Sequence, residues 1–176
     1  MFVNNFRCYL SEDKAFFAIL TDERFADLLT SDEREFVAAH VPWTRKVEER
    51  RTTWRGETVD LADFISRKRA GFVLKPSHGY GGASVLVGTA ASEASWSAGI
   101  ARAMDEGGWI VQERVEIPEE EFPVFGPDGT LRFESLKVNT NPFYVGGRDV
   151  GAVTRISRDP VINVSAGGGS VPTFVV

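Results

Sequence analysis

Phe72-Val-Leu-Lys-Pro-Ser-His-Gly-Tyr-Gly-Gly-Ala-Ser-Val-Leu-Val-Gly88 is the stretch from which the rest of the chain can be read. Two aliphatic runs, 72–74 and 84–87, predict short strands, and between them lie three glycines within 79–82. Glycine has no Cβ, so a loop of this kind lets backbone N–H groups come close to an anion. Lys75, where the first strand ends, adds a compact positive charge suited to phosphate. The same pattern on its own also describes an ordinary hairpin with a glycine turn. It is not a Walker P-loop, because no Gly-Lys-Ser/Thr closes it into a helix.

The residues downstream narrow the choice. Ser92 is placed to cap a helix in which Trp96, Ile100 and Met104 recur every four residues, and Gly107-Gly108 stops it. Trp109-Ile-Val-Gln-Glu-Arg-Val115 then predicts another apolar strand. The order is strand, flap, strand, helix, strand. With Val-Leu-Lys-Pro before the flap and Val-Gln-Glu after the helix, it resembles the nucleotide-binding lobe of the ATP-grasp enzymes. The tail, Gly151-Ala-Val-Thr-Arg-Ile-Ser157 followed by Ile162-Asn-Val-Ser-Ala-Gly-Gly-Gly-Ser-Val-Pro-Thr-Phe-Val-Val176, is similar to the ending of the circularly permuted ATP-grasp proteins, a group that includes relatives of glutathionylspermidine synthase. The resemblance implies an α/β (α+β) chain: an ATP-grasp-type nucleotide lobe with an antiparallel sheet and flanking helices over 72–176, preceded by a small helical segment over 1–71. It also implies a ligase that joins a carboxylate to an amine through an acyl-phosphate made from ATP, with ATP and magnesium as cofactors and small molecules or peptides as substrates.

Carried over residue by residue, the resemblance assigns roles. Lys75 bonds the α- and β-phosphates, and His78, Gly79, Gly81 and Gly82 belong to the phosphate flap, with Tyr80 beside them. Gln112 and Glu113 resemble the hinge that meets adenine, partly through backbone groups, and Val115 packs on the ring. The ribose carboxylate falls seven residues past the hinge glutamate, at Glu120, with Glu119 and Glu121 as alternatives within an acidic run that otherwise reads as a solvated face. Lys137 reaches phosphate from across the sheet. Arg155, on a strand of small and apolar residues, is either in a buried ion pair or aimed at phosphate, and the resemblance favours phosphate. Asn139 and Asn141 read more readily as surface residues than as substrate contacts, and Asn163 precedes the second glycine loop, 167–169.

Near the start, Asn4 occupies the place of a magnesium-binding asparagine, but Phe2 stands where that pattern has glutamate. Magnesium without carboxylates binds poorly. The expectation is therefore a C-terminal part of a longer enzyme, with acidic ligands in an upstream domain and little ligase activity in the chain by itself. Should it turn over, Glu113, Glu120 and Glu134 are the carboxylates to consider. Arg7 suits a transferred phosphoryl group or an ion pair with Glu12 or Asp13. The competing reading is a noncatalytic nucleotide- or peptide-binding module that has lost the metal carboxylates.

Composition sets outer limits. The 176 residues are 43% hydrophobic and 26% charged, ordinary for a globular protein. A net charge of −5 argues against a nucleic-acid partner. The single cysteine, Cys8, excludes an internal disulfide and fits a reducing cytoplasm, and no apolar run is long enough to predict a membrane span. Two histidines and one cysteine offer no convincing nucleophile–base set. Within 1–71, a helix is predicted from Asp13 to Leu20, and Thr30 with Glu33 forms a capping box for a helix to about His40. Pro42-Trp-Thr-Arg-Lys46 reads as an ordered loop, and 60–69 as an amphipathic helix with its cations at the C-terminus. Arg69-Ala-Gly71 is the expected boundary between the two parts.

Overall fold

The first strand of the flap region, β4 (Phe72–Pro76), forms because its alternate residues meet two different environments. Phe72 and Leu74 face a buried apolar cluster, while Val73 and Lys75 face the other side. The computed structural model describes residues 6–79, 82, 84–162, 164 and 167–174. It is a mixed chain of helices and antiparallel sheets, divided into two compact units, Met1–Val115 and Glu116–Val176.

Unit 1 opens with α1 (Cys8–Glu12), a helix that the sequence does not predict, and α2 (Ala15–Thr21), the helix expected from Asp13 to Leu20. Asp13 breaks them with an extended backbone (ψ 122°), and its side chain accepts from the Ala15 amide at 2.9 Å. A 3-10 helix (Glu23–Leu28) leads to α3 (Ser31–His40), whose Thr30/Glu33 capping box is formed as expected. The predicted loop at 42–46 is instead a strand, β1 (Thr44–Lys46), paired antiparallel with β6 (Trp109–Glu113). A strand is selected here because Arg45 and Thr44 are buried and their neighbour β6 offers a free edge. The outward amide and carbonyl of Thr44 are taken by the Thr21 hydroxyl at 3.0 and 2.9 Å, so α2 closes that edge.

The hairpin β2 (Arg51–Trp54) and β3 (Glu57–Asp60) runs into α4 (Leu61–Arg67), capped by Asp60. The strand β5 (Leu86–Val87) is shorter than the predicted 84–87, because Ser84 adopts a left-handed backbone (φ 61°) that ends the extended run. Then α5 (Glu93–Glu106) begins at the Ser92 cap and stops at Gly107. The sheet order is β1-β6-β4-β5, and α4 and α5 bury Leu61, Phe64, Ile65, Trp96, Ile100 and Ala103 against Phe72, Leu74 and Val111. Each such Leu, Ile, Val or Phe side chain contributes about 1.5–3 kcal/mol. Gly99 lets α5 approach, since a Cβ there would lie 2.4 Å from the Leu86 Cδ1.

The division between units falls after β6, not near residue 71. Two links from the segment 1–71 account for this. Strand β1 completes the flap sheet, and Trp43 and Trp54 pack on Phe72 at 5.7 and 5.4 Å between ring centroids.

Unit 2 is an antiparallel meander of β7 (Glu119–Phe125), β8 (Leu131–Val145), β9 (Arg148–Ser157) and β10 (Gly169–Val171), in the order β10-β9-β8-β7. Leu136 and Thr154 are buried on one face. Among the described residues no helix is long and apolar enough to cross a membrane.

Candidate functional site

Lys75 is the best-defined of the predicted residues. Its ammonium donates to Gln112 Oε1 at 2.8 Å, Gln112 Nε2 donates to Thr44 Oγ1 at 2.9 Å, and that hydroxyl donates to the Pro42 carbonyl at 2.8 Å. The relay crosses β4, β6 and β1 on one face of the sheet, because antiparallel partners project to the same side. Each polar atom in it has a partner, so the lysine is held at the root of the flap by fixed geometry. Burial pushes the Lys75 pKa down from its usual value, and the nearby Lys14 ammonium adds to the effect.

Lys14 is a residue that sequence reasoning missed. Its Nζ donates to the carbonyls of Ser77 (3.3 Å) and Gly79 (2.9 Å), and its amide also bonds Ser77. Its only sequence signal was a lysine in the first turn of the helix predicted from Asp13 to Leu20, 61 residues from Lys75. His78 lies beside it, with Nε2 2.9 Å from Asp13 Oδ2 and its ring stacked on Tyr9 at 5.1 Å. Helix α1 and the turn after it thus hold the first part of the flap, through Tyr9, Asp13 and Lys14. Gly79 and Gly82 have left-handed backbones (φ 132° and 74°), as a glycine flap requires. Tyr80 and Gly81 lie outside the described residues, as do Asn4 and Asn163. Replacing Lys14 with methionine is expected to move the Lys75 pKa back toward its usual value. A side-chain NMR titration measures this, and an unchanged pKa would mean that burial alone sets it.

The hinge residues divide between the two sheet faces. Gln112 holds Lys75, whereas Glu113 projects to the opposite side and accepts from Arg55 at 3.0 Å. The Glu113 amide donates to the Trp43 carbonyl (2.8 Å) and the Arg114 amide to Gly71 (2.8 Å), so those two donors are committed to the sheet. Val115 is 59% exposed and lies beside a cavity of about 830 Å³, lined also by Leu29, Val37, Val41 and Trp43. Lys75 does not line that cavity. Arg7 stands at the N-cap position of α1.

In unit 2, Lys137, Asn139, Asn141 and Arg155 share one face, because Asn139 is paired with Arg155 and the others alternate from them. Arg155 is exposed, so it is not the buried ion-paired residue that was one of its two readings. Asn141 Nδ2 donates to Asn139 Oδ1 at 2.7 Å. Glu120 projects to the other face, opposite Leu136, while Glu119 and Glu121 lie on the face of Lys137. Glu119 is ion-paired with Lys137, and hydrogen bonds from Lys137 and Ser135 hold its carboxyl below the usual carboxylate range. Glu134 is paired with Arg158.

Among the described residues no three His, Cys, Asp or Glu side chains gather as a metal site. Glu113 and Glu134 are each engaged by an arginine. The described residues therefore do not by themselves present a magnesium centre. No protein-family model matches the chain, and a search of curated proteins finds no match.

Proposed function

We propose that unit 1 binds ATP, with Lys75 and Lys14 facing the phosphates and the flap closing over them, and that the chain serves an ATP-grasp-type reaction joining a carboxylate to an amine. The observation that carries this reading is the hydrogen-bonded relay Lys75–Gln112–Thr44, which fixes a desolvated ammonium at the root of a glycine flap. Desolvation strengthens the attraction of such a charge for phosphate. Lys14 brings a second positive charge to the same place, and among the described residues its ammonium donates to the backbone carbonyls of Ser77 and Gly79, which a phosphate oxygen can replace. Chemistry of this class rests on positioning and charge neutralisation, so it needs no protein nucleophile. In unit 2 the exposed Arg155 is the candidate for contacts to anionic groups, and the half-buried Lys137 on the same face would have to give up its ion pair with Glu119 to join it.

Calorimetry with ATP tests the binding. The Lys75→Ala variant is expected to lose about 1.5–3 kcal/mol of affinity, the worth of a hydrogen bond to a charged group. Unchanged affinity would remove Lys75 from the site. Release of ADP and phosphate in the presence of magnesium, amino acids and peptides would support the ligase. ATP binding with no release under any of these conditions would leave a nucleotide-binding module.

A further inference from the structure

On the face of β4 opposite Lys75 lies a cleft of about 750 Å³ that the ATP reading does not use. Four cations, Arg55, Arg67, Lys68 and Arg69, line it, against two carboxylates, Glu93 and Glu113. Arg55 and Glu113 satisfy each other at 3.0 Å. That leaves three consecutive cations facing one carboxylate, in a chain whose net charge is −5. Arg69 is fixed in place, because its Nη1 donates to the carbonyls of Gly88 and Ala91. Among the described residues neither Arg67 nor Lys68 is ion-paired; Arg67 gives only its Nε to the Asp63 carbonyl, at 3.3 Å.

We infer that this cleft is a second anion site, one that takes a ligand bearing a phosphate or pyrophosphate group. A single carboxylate would leave the positive charge in excess, whereas a multivalent phosphate matches it and offers each cation its own oxygen. Fixing Arg69 in advance removes part of the cost of ordering the site. Arg67 and Lys68 also sit at the C-terminal end of α4, where cations favour the helix dipole. That role affects stability alone and gives no anion dependence, so experiment separates the two.

Inorganic pyrophosphate titrated into the full chain, followed by amide chemical shifts, is the test. The signals of residues 67–71 are expected to move with saturation, equally in wild type and in Lys75→Ala. The double variant Arg67→Glu/Lys68→Glu should weaken binding at this site by about tenfold or more. Glu93→Gln, which removes the opposing charge and leaves the cations in place, should tighten it severalfold. Should the double variant fail to fold, the Glu93→Gln result decides. Absence of shifts at 67–71, their loss in Lys75→Ala, or indifference to Glu93→Gln would each overturn the site. The ATP reading stands or falls separately, on Lys75.

Discussion

Gly88→Ala is expected to unfold unit 1 or bring it close to unfolding. A Cβ built on Gly88 lies 1.8 Å from the Arg69 carbonyl oxygen, 2.6 Å from its carbon and 2.8 Å from the Phe72 carbonyl oxygen. All three are backbone atoms, so no side chain can rotate away to make room. The Gly88 amide donates to the Phe72 carbonyl at 2.9 Å, and its own carbonyl accepts from Arg69. One methyl group would therefore separate the returning strand from β4 and break both hydrogen bonds. The loss should exceed about 4 kcal/mol, the upper tail of single-residue effects. A thermal melt followed by circular dichroism measures it, and a melting temperature within a few degrees of wild type would show that the backbone contact at Gly88 is not required. Because β5 anchors the flap, any folded remnant should also bind ATP poorly.

That contact was not legible in the sequence. Gly88 reads as one more turn glycine, because what makes it irreplaceable is the backbone of Arg69 and Phe72, 19 and 16 residues earlier in the chain. The helices α3 and α5 were legible because their signals are local. Thr30 and Glu33 form their capping box, Ser92 caps α5, and the four-residue recurrence of Trp96 and Ile100 does face the core. The strand β1 was not, since Pro42-Trp-Thr-Arg-Lys46 has neither alternation nor a β-branched run. It is a strand because β6 pairs with it and Thr21 closes its edge.

The candidate site shows the same limit. Lys75 and the glycine flap stand out as residues, and the structure gives Lys75 a rigid support. The support itself, Gln112 and Thr44, is assembled from strands far apart in sequence, and nothing in the local sequence of Gln112 marks it as a partner of Lys75. Lys14 reaches the flap only through the turn between α1 and α2, which no spacing encodes. Glu120 illustrates how much a single position decides within a strand. Its neighbours Glu119 and Glu121 lie on the face of Lys137, and it does not.

Asp22→Asn should be the most damaging polar substitution in unit 1. The Asp22 side chain is 1% exposed and takes hydrogen bonds from the Arg50 guanidinium, from Arg24 Nη2 at 2.9 Å and from the Arg24 amide at 3.0 Å. Burial by itself would raise its pKa, but the hydrogen bonds from Arg50 and Arg24 outweigh burial and hold the carboxyl well below the usual carboxylate range. Glu23 extends the lattice to the buried Arg45 at 2.7 Å, and Arg45 donates to the Thr21 carbonyl at 2.8 Å. Removing the charge at Asp22 leaves Arg50 without its main partner, and breaking a buried pair in this way costs about 3–5 kcal/mol. Because the folded pKa is depressed, the stability from this carboxylate is complete above the unfolded pKa of about 3.9 and is lost as the pH falls below it. Wild-type melting temperature should therefore drop on acidification from neutrality to pH ~3, whereas Asp22→Asn, already destabilised, should drop less. Parallel pH curves for the two proteins would show that the acid sensitivity arises elsewhere. The same lattice sets the position of β1, and through Thr44 and Gln112 that of Lys75, so the variant should also bind ATP more weakly at a temperature where it remains folded.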